Sequence, residues 1–408
     1  MRRLSRAQAV NLLLEHCAPT LACRMQPMDA VGLVAAEKAQ AACPIPGHPT
    51  SLRDGFALRS ADTATASANA PVCLPVTLTL TAESRLPAPL LPGQAVRLLT
   101  GGPVPPDADA VLGFEDVREE GETISLHAPV LAGQHIRPEG GDLPLGDIIA
   151  FPGRAITPQA AALLTRSKVV ELAVHPRPSV CMFGLGNELG QPGTAIKPGC
   201  IPADNVVLVR GLLERWGARV LESRTLPDDL EAIGRALLNA PLPDVVITTG
   251  GTGRSRRDFA HEAALLAGYD LLFNGLDMRP GKQVFAALKQ DGGRTVALIG
   301  LPGPPNAVYA CLHAVVLPLV RRLRGLTPAS ASCALLKQAI RTRPGSEWIV
   351  PCTLDLHEGR LTAQPLIGEG PTLRALALAD AAIALPPDRD LTPELPVELL
   401  ASPLPGQD

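Results

Sequence analysis

Residues 244–258 read DVVITTGGTGRSRRD, an apolar, β-branched run that passes into a glycine-rich turn and closes on an aspartate. A short continuous apolar run bounded by turn residues fits a strand buried on both faces. The turn matches neither common phosphate signature, since it has no GxxxxGK[ST] and GGTG lacks the further glycine of GxGxxG. Its glycines still let backbone N–H groups approach a ligand closely. Arg254, Arg256, Arg257 and Asp258 put both signs of charge beside them.

Working outward, strands and amphipathic helices alternate from about residue 176: SVCMFGLG, NVVLVRGLLERWG, ARVLESR, DDLEAIGRALLNA, DVVITTGG, DFAHEAALLAG, TVALIGLPG and NAVYACLHAVVLPLVRRLRG. This rhythm predicts a doubly wound α/β domain whose parallel sheet is covered on both faces, with ligands outside the carboxyl ends of the strands. Three loops fall at such ends: GLGNELG (184–190), TGGTGRSRRD (249–258) and LPGPPN (301–306). Before this domain, residues 70–140 hold short β-type runs separated by Gly and Pro, which read as a β-rich module. A helix is expected from Thr157 as N-cap with Pro158 in its first turn. After Gly325 the helical signal fades into a small β domain. No repeat of 20–50 residues is visible.

At 408 residues, a prior of about one domain per 150 residues suggests two to four domains. A formal charge of −3 gives no electrostatic case for a nucleic-acid partner. No apolar run approaches the roughly 20 residues needed to span a bilayer, and the N-terminus MRRLSRAQAVNLLLEHCA lacks a signal-like apolar core, so a cytoplasmic protein without a membrane contact is expected. The nine cysteines form no CxxC pair and read as buried thiols, and the eight scattered histidines offer no metal spacing.

Several side chains could do chemistry. Glu188 and Asp258 lie in strand-end loops beside glycines; Asp228 opens the helix DDLEAIGRALL, where an N-cap is its plain structural role. Carboxylates around a phosphate-sized nest would repel an anion unless a divalent cation bridges them, as Mg²⁺ does for phosphorylated substrates. In MRPGKQ (278–283), Arg279 and Lys282 flank a Pro-Gly turn, either as an anion site or as two solvated charges. Upstream, Asp54 sits in SLRDGFALRS, Thr100 in LLTGGPVPPDADAVL and Asp142 in RPEGGD.

The ordered series RDGFALR, LLTGGPVPPDADAVL, HIRPEGGDLPLGDII, GLGNELG, TTGGTGxxxxD, MRPGKQ and LPGPPNAV resembles the molybdopterin molybdenumtransferase family, MoeA and the gephyrin E domain, over about residues 30–325. The resemblance implies an elongated homodimer of four-part chains: a split N-terminal domain (1–50 and 141–175), an inserted β-rich domain (51–140), a MogA-like molybdopterin-binding α/β domain (176–326) and a C-terminal β domain (327–408). Its implied reaction inserts molybdenum from molybdate into adenylylated molybdopterin, with Mg²⁺-dependent hydrolysis of the adenylate and release of AMP.

By the same resemblance the cleft is shared between subunits. Asp54, Thr100 and Asp142 of one chain would face Glu188, Asp228, Asp258 and the MRPGKQ turn of the other. Gly250, Gly251, Thr252, Gly253, Arg279, Lys282, Pro302 and Pro305 would hold the pterin or its phosphate, and Glu188 and Asp258 would bind the metal.

The sequence departs from the family pattern at Arg53, Asn187, Asp204 and Arg279, and in the expected molybdate pocket, where Gly345 and Pro371 stand in place of an arginine and a serine and Arg343 lies nearby. These departures bear on metal insertion more than on pterin binding. Two other readings therefore stand beside the transferase: a divergent pterin-binding or regulatory protein without catalysis, and a MogA-like adenylyltransferase.

Overall fold

A computed structural model describes residues 3–194, 198–253, 259–328, 332–342, 344–357, 359–367 and 373–400. The central sheet runs in the order Arg219–Leu226, Ser179–Leu185, Val245–Thr249, Arg294–Leu301, Phe285–Asp291, Asp270–Asn274. The first four strands are mutually parallel, with Val180 opposite Val245 and Thr249 opposite Leu301. All seven residues of Ser179–Leu185 are buried, as expected of a strand covered on both faces.

The two faces separate cleanly. Val180, Met182, Val245, Ile247 and Ile299 join one core with the helices Asp204–Arg215 and Leu317–Leu323. Cys181, Phe183, Val246 and Leu298 join another with Leu230–Leu238 and Ala260–Leu266.

The far edge of the sheet differs from the all-parallel expectation. Phe285–Asp291 pairs antiparallel with both its neighbours. The hairpin turns on Gly292 and Gly293, at φ +58° and +80°, between Asp291 and Arg294. Two successive positive φ values are what a tight hairpin of matching twist requires, and a Gly-Gly pair supplies them without steric cost.

The helix Arg6–His16 begins with a capping box between Ser5 and Gln8 and packs Ala9 and Leu13 into the α/β core although it opens the chain. Elsewhere in the N-terminal part, Cys23–Met25, Leu172–His175 and Val34–Ala35 form a three-stranded sheet, which ties the segments before and after the β-rich module together. Thr157 caps Pro158–Arg166 by accepting a hydrogen bond from the Ala160 N–H, with proline in the first turn as expected. The β-rich sheet contains Gly55–Leu58, Val72–Leu80, Ala95–Leu98, Ala110–Gly113, Arg118–Glu120 and Thr123–Leu126. In the C-terminal domain Glu347–His357, Arg360–Pro365, Ser332–Leu336, Pro396–Leu399 and Ala381–Leu385 close into a ring, and Met278–Arg279 adds to its outside.

The cysteines correct one expectation. Cys17, Cys181, Cys311 and Cys352 are buried, and burial pushes the Cys17 and Cys181 thiols up to about 11. Cys73 and Cys333 are exposed, and Cys23, Cys43 and Cys200 are half-buried; they sit on strands and loops where a neighbouring apolar residue in sequence does not ensure a neighbour in space. No helix is long and apolar enough to cross a membrane among the described residues.

The long helical segment after Pro305 winds wider over Leu312–Val316 before Leu317–Leu323 resumes an α-helix. Pro318 has no N–H to return to the turn before it, which favours such a local widening. His313 lies in that wide turn, buried against Trp216 and Tyr309, and neither ring nitrogen has a hydrogen-bond partner among the described residues. Desolvation, aided by the charge of Arg215, pushes the imidazole down to about 3. The folded state therefore holds His313 neutral while the unfolded chain, near 6.5, takes up a proton. Its contribution to stability is complete above pH ~6.5 and is lost as pH falls towards 3. Thermal melts of wild type and His313→Leu between pH 7.5 and 5 should show the wild-type Tm falling more steeply; parallel pH profiles would contradict this role.

Candidate active site

The chain passes from Ser179–Leu185 to its neighbour Arg219–Leu226 on one side, then crosses to Val245–Thr249 on the other. The loops after Leu185 and Thr249 consequently part in opposite directions, and a crevice opens at this reversal of strand order. It has a volume of about 540 Å³. Its lining brings together Glu188, Asp228, Gly250, Gly251, Thr252, Gly253 and Pro305 from the expected site, with Asp204. Asn205, Gln283, Gly303 and Pro304 also line it without having been singled out by sequence.

The glycines are dictated by space. Gly250 has φ +88°, and a Cβ there would stand 2.7 Å from the Leu185 carbonyl oxygen. Its own N–H donates to the Leu301 carbonyl at 3.0 Å, so the turn is held between two neighbouring strands. Gly251 has φ +63°, and its carbonyl accepts from the Ala260 N–H at 3.1 Å. In the opposite loop a Cβ at Gly186 would meet both oxygens of the Glu188 carboxylate at 2.8 Å. The missing side chain is what makes room for that carboxylate.

Asp228 is not the helix cap. Asp229 takes that place, accepting from the Ala232 N–H at 2.7 Å, which leaves the preceding carboxylate directed to the loop 184–190. The Asp228 N–H donates to Asn187 Oδ1 at 3.1 Å and the Asn187 N–H reaches Asp228 Oδ2 at 3.4 Å. Asn187 thus bridges two loops, and an aspartate there would set a second carboxylate against Asp228. On the facing wall Asn205 Nδ2 donates to the Gly303 carbonyl at 2.7 Å, and its Oδ1 is buried without a partner among the described residues.

The remaining expected residues lie elsewhere. Asp258, with Arg254, Arg256 and Arg257, falls outside the described residues, as do Arg343 and Pro371. Pro302 is buried beneath the crevice wall rather than lining it. Arg279 and Lys282 occupy the adjacent turn, whose contribution to the lining is Gln283. Asp54 accepts from the Thr100 N–H at 2.6 Å and from Thr100 Oγ1 at 2.7 Å, and these bonds hold its carboxyl below the usual carboxylate range. Asp142 is paired with Arg137 at 2.6 Å. None of Asp54, Thr100 and Asp142 lines the crevice within the same chain. Gly345 is exposed, with its N–H given to Asp388 at 3.1 Å.

Comparison with known proteins bears on this geometry. Residues 4–167 match the family profile described as the MoeA N-terminal region (domain I and II), and residues 181–322 match the probable molybdopterin binding domain. The molybdopterin molybdenumtransferase of Bacillus subtilis (strain 168) is 32% identical over 351 residues, covering 84% of this chain and 80% of that protein. The chain belongs to the MoeA family. Molybdopterin molybdenumtransferase 2 of Mycobacterium tuberculosis (strain ATCC 25618 / H37Rv) is 28% identical over 374 residues, covering 88% of this chain and 90% of its own length. The crystal structure of the molybdopterin biosynthesis protein MoeA from Pyrococcus horikosii has the same fold, with a TM-score of 0.84, 24% identity and 98% of each chain covered. Membership places the protein in molybdenum cofactor biosynthesis as a MoeA-type transferase.

The crowding at Gly250 is directly testable. Gly250→Ala should destabilise the protein by about 2–4 kcal/mol, combining left-handed strain with overpacking. Gly193→Ala, at φ +80° with nothing within 4 Å of the new Cβ, should cost only the conformational part, about 1–2 kcal/mol. Equal losses for the two variants in denaturant unfolding would remove the contact with Leu185 as the constraint.

Proposed function

We propose that the chain inserts molybdenum from molybdate into adenylylated molybdopterin, hydrolysing the adenylate to AMP, as a cytoplasmic homodimer whose cleft is shared between subunits. The four-part division at residues 1–50 with 141–175, 51–140, 176–326 and 327–408 belongs to the same proposal. The observation that carries it is the crevice at the strand reversal, where the Gly250–Gly253 backbone faces the carboxylates of Glu188, Asp204 and Asp228. Relatives bearing the molybdenumtransferase name share most of the chain's length, which supports the same substrate pair here.

Hydrolysis of a phosphoanhydride breaks one P–O bond, giving a hydroxyl to one phosphorus and a proton to the departing phosphate. Catalysis then depends on positioning and on neutralising charge as it shifts between phosphates. The crevice has, among the described residues, no lysine or arginine in its lining. Arg279 and Lys282 are assigned to the substrate's phosphates from the adjacent turn. The oxygen-only donor set suits magnesium, which is commonly held by one or two carboxylates together with waters and phosphate oxygens. Among the described residues no three His, Cys, Asp or Glu side chains form a metal cage. Glu188, with Asp258 beyond the described residues, would hold the ion, whose charge would offset that of the phosphates. Asp228, tied to Asn187, orients the attacking water and receives its proton. On the other subunit Asp54 is kept ionised by Thr100 and, with Asp142, faces the same cleft.

Gly345 favours a second reading. It brings no side chain to a position where the family resemblance expects an arginine, and its N–H is already engaged by Asp388. A protein that binds the pterin without inserting the metal would suit that local change. Purified protein incubated with adenylylated molybdopterin, molybdate and Mg²⁺ should release AMP. Glu188→Ala should lower kcat by about 10²–10³-fold if one charge-stabilising group is lost, with Lys282→Ala also impaired. Tight pterin binding without AMP release would establish the non-catalytic reading, and ATP consumption without a need for molybdate would establish an adenylyltransferase.

A further inference from the structure

Three separate stretches of chain meet beside the crevice. Leu4 bridges to Leu276, and the Asp277 N–H donates to the Leu4 carbonyl at 2.9 Å. Two residues on, Met278–Arg279 pairs in parallel with Glu347–Trp348 of the C-terminal ring, and the Glu347 N–H donates to the Asp277 carbonyl at 3.1 Å. The Leu276 N–H closes the turn on the Lys282 carbonyl at 3.1 Å. Gln283, the next residue, lines the crevice.

One side chain spans this junction. The Arg6 guanidinium reaches Glu347 through Nε at 2.8 Å and Nη2 at 3.0 Å, and Glu398 through Nη2 at 2.6 Å and Nη1 at 3.2 Å. Its side chain is only 13% exposed. A planar fork can serve two carboxylates at once in a way that a lysine ammonium cannot. Glu347 and Glu398 lie on different strands of the C-terminal ring, so the fork ties that ring to the first helix and hence to the α/β core in which the helix is packed.

We infer that Arg6 is a positioning residue, whose double ion pair fixes the C-terminal ring and the Met278–Gln283 turn relative to the crevice. Arg6 is not among the residues that line the crevice; it acts through the strand pairing at Glu347. Its assignment to catalysis rests on the molybdenumtransferase reading, whereas its grip on the turn does not.

Backbone hydrogen exchange and steady-state kinetics on the full chain separate these levels. In Arg6→Ala the amides of Leu276, Asp277 and Glu347 should exchange at least tenfold faster, while those of Val245–Thr249 keep the wild-type rate. AMP release should lose at least tenfold in kcat with KM changed less than threefold, because the glycine turn that grips the pterin is untouched. Arg6→Lys should recover part of the kcat, and Glu398→Gln should give the same pattern in milder form. Exchange and kcat equal to wild type would overturn the inference. Faster exchange throughout the chain, or a loss confined to KM, would also overturn it by showing a merely structural or a binding role. If wild type itself releases no AMP, the transferase reading fails, and the exchange comparison still decides whether Arg6 holds the turn.

Discussion

Gly250 sits where two requirements meet: the strand Val245–Thr249 must end, and its chain must turn across the carbonyl of Leu185 on the neighbouring strand. The 2.7 Å from a would-be Cβ to that oxygen leaves glycine as the residue that permits the turn. Because Leu185 ends the strand on one side of Val245–Thr249 and Leu301, which receives the Gly250 N–H, ends the strand on its other side, this contact aligns three strand ends at once. The crevice is the space those aligned ends leave open. Hydrophobic burial on the two faces fixes the sheet, but it is non-directional and would not by itself say where the loops must go.

The electrostatics of the crevice follow from this arrangement. The glycine turn forms one wall, its Gly250 N–H already given to the Leu301 carbonyl, while Glu188, Asp204 and Asp228 make the other negative. A phosphorylated ligand lying against the glycine turn is repelled by the second wall unless a cation intervenes. Asn187 moderates that repulsion: by pairing with the backbone of Asp228 it presents an amide where a carboxylate would add to the negative charge. The departure from the family pattern at this position therefore alters the charge at the mouth of the crevice while keeping the two loops joined.

What could be read in the sequence was whatever depends on neighbours along the chain. Strand and helix periodicity gave the α/β layers, Thr157 and Pro158 announced a helix start, and the glycine turn at 250–253 announced a strand-end site. Features set by distant packing were less legible. Asp228 looked like the cap of its helix because two aspartates adjoin, and only the backbone conformation assigns that bond to Asp229. Gln283 closes the MRPGKQ motif but its place in the lining depends on how that turn packs, and Asn205 reaches the crevice where it donates to the Gly303 carbonyl. The antiparallel edge was signalled locally, by Gly292 and Gly293 between two apolar runs, but strand-helix alternation over the preceding segments outweighed that signal.

The first helix shows how sequence order and mechanical role can part. Its buried face, Ala9 and Leu13, belongs to the α/β core, while Arg6 at its first turn holds the C-terminal ring. Removing the hydrophobic face would loosen the helix from the core; removing the guanidinium would leave the helix in place and the ring held by Ile349, Ala382 and Ala384 in that core, with two carboxylates left without their cation. Arg6 is the buried member of this network, whereas Glu347 and Glu398 keep 24% and 40% of their side-chain surface exposed, so water meets part of the charge left behind when the guanidinium is removed. Sliding of the ring against the core would pull both carboxylates away from the one guanidinium that serves them. The strand pairing of Met278–Arg279 with Glu347–Trp348 is only two residues long, so the seat of the ring on the core is set by this ion pair together with the packing of Ile349, Ala382 and Ala384 into the same core as the first helix.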